Sequence, residues 1–214
     1  GGTRAAALSY GVLEELRDTI VMIDGQPRRL LDEVDNISSV SGGSFTSAYY
    51  GLYGERTFED FKKVFLTRNV ESELLHGLLN PLQWFKSTGR TEMAVKLYQE
   101  QVFHDATFAD MQRADGPLII INTSDLGYGV RFSFVQEYFN LLCSDISDFP
   151  VARAVTASSA VPVLFNPVVL ENYQDCKQTK PDWLAAAEER AVGDPDMTRV
   201  VSGLNSYFKQ DGRQ

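Results

Sequence analysis

Ser39-Val40-Ser41-Gly42-Gly43 follows a short β-like run, Val34 to Val40, and leads into a helix-like run, Ser44 to Tyr53. A serine on a sharp strand-to-helix turn is how many hydrolases present a nucleophile. Such a turn leaves no room for large side chains, and Gly42 and Gly43 are small; Ser39 stands where glycine is commoner. Ser41 also opens a helix, where free N–H groups and the helix dipole favour developing negative charge. The stretch therefore carries chemistry as well as architecture.

Outward from the elbow, the flanking segments predict an α/β protein. Ala5 to Ile23 reads as one helix, with Leu8, Val12, Leu16 and Ile20 on one face and an end near Gly25 and Pro27. Thr91 reads as an N-cap with Glu92 in the first turn of a helix to about Phe103. Leu118 to Asn122 is a continuous apolar run, as a buried strand requires. Gly127-Tyr128-Gly129 marks a turn to a partner strand, Val130 to Val135. Pro150 to Ala160 predicts a small-residue helix and Val168 to Leu170 a strand. Lys177 to Gln214 is polar, with one helix from Trp183 to Ala191.

Composition sets limits. The 214 residues suffice for one domain with its own core. An apolar share of 43% and a charged share of 23% are those of an ordinary globular protein. A net charge of −9 argues against a nucleic-acid binder and against a mainly electrostatic attraction to anionic membranes. No apolar run approaches the length of a membrane-spanning helix. Cys143 and Cys176 lack metal-ligand spacing; they read as two ordinary thiols, with a disulfide in an exported protein as the alternative. With only His76 and His104 besides, no metal site is expected.

Gly1-Gly2-Thr3-Arg4 opens the first helix. A glycine-rich loop exposes N–H groups that can hold the oxyanion of a tetrahedral intermediate. In a parallel sheet, that loop and the elbow emerge at the same carboxyl-end crevice.

Four ordered stretches resemble the patatin-like phospholipases. Gly1-Gly2-Thr3-Arg4-Ala5 is similar to the tail of the family's Gly-Gly-Gly-x-Arg signature, and Ser39 to Ser44 to its Gly-x-Ser-Gly-Gly elbow. Pro117 to Leu126 is similar to its central strand. Ala157-Ser158-Ser159-Ala160-Val161-Pro162 with Phe165-Asn166-Pro167-Val168 is similar to its Ala-Ser-x-Ala-x-Pro and Phe-x-Pro-Val stretch. The resemblance spans most of Gly1 to Leu170.

The resemblance implies a three-layer α/β/α sandwich with a mostly parallel central sheet. It also implies a Ser-Asp dyad hydrolysing acyl esters of lipids, of the phospholipase A or lysophospholipase type. Ser41 is carried over as nucleophile, Gly1 and Gly2 as oxyanion donors, and Gly42 and Gly43 as supports of the motif. Arg4 matches the motif arginine; charge support, a substrate phosphate contact and a structural ion pair all stay open. The chain departs from the family at the acid: the Asp-Gly-Gly or Asp-Gly-Ala motif is not seen. Asp211-Gly212-Arg213 is the nearest string, but no apolar strand precedes it. The acid is therefore expected past Gln214, and residues 1–214 are expected to be one catalytic domain truncated at both ends.

A Ser-His-Asp enzyme would need a histidine after its acid, and neither His76 nor His104 suits. In a dyad the carboxylate itself takes the serine proton. No cofactor is expected. The expected partner is a phospholipid or other acyl lipid taken from a membrane surface. Leu74 to Phe85 reads as core or as a lipid-facing rim. Export or a place in a bacterial cell envelope stays open. Two other readings stand: a non-catalytic lipid- or partner-binding domain of this fold, and a serine esterase or thioesterase on soluble substrates. A pyrophosphate loop is disfavoured, because Phe45 and Thr46 occupy the positions where that motif has aspartate and serine.

Overall fold

The computed structural model describes residues 2–67, 89–160, 165–173, 176, 179–209 and 212–213. Gly1, the Leu74 to Phe85 segment with His76, Val161 and Pro162, and Asp211 lie outside the described residues, so the expectations placed on them stay as they were.

The first helix, α1 (Gly2–Asp18), stops five residues short of the expected end. Ile20–Ile23 (β1) and Gln26–Arg29 (β2) instead form an antiparallel hairpin. Asp24 and Gly25 turn it, both with positive φ (50° and 76°). Asp-Gly supplies the positive φ at both central positions that the tightest hairpin turn demands, and the β-branched run before it favours a strand. The apolar stripe of α1 also differs from expectation. Leu8, Val12 and Ile20 are exposed, whereas Ala6, Tyr10 and Leu13 are buried. The helix packs through its small and aromatic face, because its neighbour comes close enough to demand an alanine.

That neighbour is α2 (Gly42–Tyr53), buried along Gly42 to Gly51. It lies between α1 and the sheet, so it is apolar or small all round. Its hydroxyls are satisfied locally: Thr46 Oγ1 donates to Ala6 O at 2.9 Å, and Ser47 Oγ shares a 2.6 Å hydrogen bond with Ser39 Oγ. A short helix, α3 (Thr57–Phe61), follows. The next described helix, α4 (Arg90–Tyr98), is capped by Gly89. Thr91 does not cap it; its hydroxyl donates to Asn166 O at 2.6 Å and pins the helix to the Phe165–Pro167 segment.

The sheet is built from β3 (Asn36–Val40), β4 (Leu118–Asp125) and β5 (Val130–Phe134), in that order. The β3–β4 pair is parallel and the β4–β5 pair antiparallel, so the described sheet is mixed rather than mostly parallel. The connection between β4 and β5 is a tight turn, which permits only antiparallel pairing. Ile119, Ile121, Phe132 and Phe134 are buried beneath the helices, while Ser38, Val40, Leu118 and Arg131 are exposed on the opposite face. Among the described residues, helices therefore cover one face of this α/β sheet.

Three helices follow in the chain: α5 (Gln136–Leu141), α6 (Val151–Ser159) and, after β6 (Glu171–Asn172), α7 (Asp182–Arg190). Residues 168–170 are irregular rather than a strand. A further helix, α8 (Pro195–Lys209), stands where only polar chain was expected. Its signal is legible in retrospect. Asp194 Oδ1 accepts from the Asp196 and Met197 N–H groups, and Pro195 takes the first helical position. The last described strand is β7 (Gly212–Arg213), paired antiparallel with β6. The core is rich in aromatic contacts: Phe45 with Phe65, Tyr98 and Phe103, and Phe132 with Phe134, Phe139 and Tyr207.

The two cysteines are bonded, which settles that question against two free thiols. Cys143 follows α5, and the Tyr173 N–H donates to Leu142 O at 3.0 Å, drawing the two segments together. Their Cα atoms lie 5.4 Å apart, within bridging range.

Candidate active site

Ser41 sits at the junction of β3 and α2 with φ 56° and ψ −132°. Few residues with a side chain hold such a conformation, and those that do cluster at functional sites. The elbow follows from the local sequence: a strand that ends at Val40, then two glycines that let a helix start at once. Ser44 closes the first turn, its N–H on Ser41 O at 3.0 Å and its hydroxyl on the same oxygen at 2.5 Å.

The structure brings the other glycine motif against this elbow. A methyl group placed on Gly42 would lie 1.9 Å from Gly2 O and 3.1 Å from Ala6 N. Main chain thus meets main chain, and only glycine fits at position 42. Gly2 itself has φ 64°. Gly43 is less confined: a methyl there meets Ser9 Oγ at 3.2 Å. Arg4 is exposed on α1, and no ion pair involving it occurs among the described residues. The structure thus places Gly2, Gly42, Gly43 and Ser41 together and leaves Arg4 at the surface.

Sequence reasoning missed the residues behind the elbow. The Ser41 N–H donates to Ser158 Oγ at 2.9 Å, and Ser158 Oγ donates to Asn122 O at 2.6 Å. Asn122 is buried; its Nδ2 donates to Ser38 Oγ and to Ser39 O, both at 2.9 Å, and its Oδ1 accepts from Ser133 Oγ at 2.8 Å. These partners are far apart in the chain, so no local pattern announces them.

Beside the elbow opens a cavity of about 560 Å³, of the size of ligand pockets in general. Val40 and Ser158 line it next to the elbow; Phe132, Phe134, Ala157 and Val168 give it apolar walls. Asp125 and Tyr207 form a polar spot in its lining. Asp125 Oδ2 accepts from Tyr207 Oη at 2.8 Å and Oδ1 from the Gly127 N–H at 2.7 Å, so each oxygen accepts one hydrogen bond. Burial, with the hydrogen bond to Asp125, raises the Tyr207 phenol well above its ordinary pKa.

Among the described residues, no carboxylate or imidazole is hydrogen-bonded to the Ser41 hydroxyl, and no group of three potential metal ligands occurs. His104 ends the helical stretch after α4, exposed and with φ 50°. No described helix is long and apolar enough to cross a membrane.

No curated protein and no solved structure matches the chain. A family model does: the one described as patatin-like phospholipase matches residues 1–178, well over half of the chain. With its elbow and its glycine motif in that region, the chain belongs to the patatin-like phospholipase family, a family of lipid hydrolases.

Proposed function

We propose that Ser41 is the nucleophile of a lipid acyl hydrolase of the phospholipase A or lysophospholipase type. The observation that carries this reading is one juxtaposition: a serine held at φ 56° on the elbow, with Gly2 main chain against Gly42, beside an apolar cavity of about 560 Å³. The Ser41 hydroxyl attacks the ester carbonyl, and the carbonyl oxygen becomes an oxyanion. Backbone N–H groups of the Gly1-Gly2 loop hold that oxyanion, aided by the positive end of the α2 dipole. The alcohol part of the lipid leaves, and water then releases the fatty acid from Ser41.

In this reading an aspartate takes the serine proton as general base, and it is a residue outside those described. Asp125 is engaged by Tyr207 and the Gly127 N–H, and no hydrogen bond joins it to the Ser41 hydroxyl. The cavity receives the acyl chain, since its walls offer Phe132, Phe134 and Val168 rather than charge. Each buried methylene contributes roughly 0.8 kcal/mol, which favours an acyl chain over a short soluble ester. The three-layer arrangement belongs to the same proposal, with a second helical layer over the exposed face of Ser38, Val40 and Leu118.

The test is covalent labelling by a fluorophosphonate together with fatty-acid release from phospholipid vesicles. Ser41→Ala abolishes both. Labelling retained in that variant would overturn the assignment of Ser41.

A further inference from the structure

We infer that Ser158 is a positioning residue for Ser41, clamping the main chain of the nucleophile from the end of helix α6. The inference rests on Ser41 being the nucleophile. Its basis is a directed chain of hydrogen bonds. The β3–β4 pairing ends at Val40 and Asn122, and the Ser41 N–H turns to Ser158 Oγ at 2.9 Å. A hydroxyl has one proton to give, and Ser158 gives it to Asn122 O at 2.6 Å. Its lone pairs are then left to accept, so the direction of both bonds is set. The far end of the chain is anchored, because the Asn122 side chain is held in the sheet by Ser38, Ser39 and Ser133.

The clamp meets a specific need. A residue at φ 56° and ψ −132° persists only where its surroundings over-determine it. Ser44 fixes the carbonyl side of Ser41, and Ser158 fixes the N–H side. The neighbouring Ser159 does nothing similar, since its hydroxyl bonds back to Val155 O at 2.7 Å within its own helix. Ser158 also lines the apolar cavity, so the clamp joins the wall of that cavity to the nucleophile.

The experiment compares Ser158→Ala, Ser158→Thr and Ser159→Ala on a monomeric p-nitrophenyl ester, with fluorophosphonate labelling in parallel. A nucleophile freed to drift by a fraction of an ångström loses about 10- to 100-fold in rate. The loss is expected in kcat, with KM within roughly threefold, because Ser158→Ala trims one hydroxyl from the cavity wall and leaves its apolar lining in place. Ser158→Thr keeps the hydroxyl and restores the rate to within about threefold, and Ser159→Ala stays at the level of the unmodified protein. Ser158→Ala at full kcat, equal losses in the two alanine variants, or a folded threonine variant as slow as the alanine one would each overturn the inference. Should Ser158→Ala fail to fold, Ser158→Cys keeps the bulk with a weak acceptor, and an undiminished kcat there overturns it equally. Activity that survives Ser41→Ala is a different result, which removes the nucleophile itself.

Discussion

Gly42→Ala tests whether the start of α1 and the elbow are one unit. The added methyl would sit 1.9 Å from Gly2 O, 2.8 Å from Gly2 C and 3.1 Å from Ala6 N. All three are main-chain atoms, so no side chain can rotate out of the way. The first turn of α1 must retreat by roughly 1 Å to reach even a tight contact, and interiors packed at crystal density resist that. Retreat also strains the Thr46 Oγ1 hydrogen bond to Ala6 O. Overpacking of this kind costs about 1–3 kcal/mol. Alanine's helix propensity returns up to about 1 kcal/mol. A net loss of roughly 1–2 kcal/mol lowers the melting midpoint of a chain this size by about 2–8 °C. The kinetic effect is larger, since a 1 Å displacement of a positioned group can cost roughly 10²-fold in rate. Gly43→Ala is the control: its methyl meets the movable Ser9 Oγ at 3.2 Å. The assays are thermal melting by circular dichroism and second-order labelling by a fluorophosphonate. A Gly42→Ala protein that melts and labels like the parent would refute the reasoning, as would equal damage in Gly43→Ala.

Two further outcomes follow from the same geometry. The Cys143–Cys176 bridge closes a loop of 33 residues, worth about 3–4 kcal/mol in the chain-entropy account, so the double alanine variant should melt roughly 10 °C lower; a change under about 3 °C would contradict it. Tyr207 is buried on Asp125 with its folded pKa raised, so the unfolded chain ionises this phenol from about pH 10 while the folded chain keeps it neutral. Its contribution is fully present below pH 10 and is lost as pH rises above it, by roughly 1.4 kcal/mol per pH unit. Tyr207→Phe should flatten the alkaline decline in urea midpoints by that slope; Tyr49, raised for the same reason, keeps part of it, and parallel curves for the two proteins would refute this.

How much was legible depended on whether the governing contact was local. The elbow, β4, α6 and α7 were readable because each is set by neighbours along the chain: a β-branched run, a pair of glycines, a cluster of small residues. The hairpin at Asp24-Gly25 and the Asp194-Pro195 start of α8 carry equally local signals: an Asp-Gly turn and an Asp cap followed by proline. The buried face of α1 was a different matter. Leu8 and Val12 make the better apolar stripe, yet Ala6 and Tyr10 face inward, because α2 comes too close for a larger residue than alanine.

By itself the sequence determined that a serine would stand on a strand-to-helix turn, since turn chemistry is decided by the few residues that make it. Only the tertiary structure decided what surrounds that serine. Gly2 meets Gly42 across 40 residues, Ser158 reaches Ser41 across 117, and Tyr207 reaches Asp125 across 82. These contacts leave no periodic trace, because each depends on where two elements dock rather than on what either element is. The same docking opens the cavity of about 560 Å³ beside Ser41.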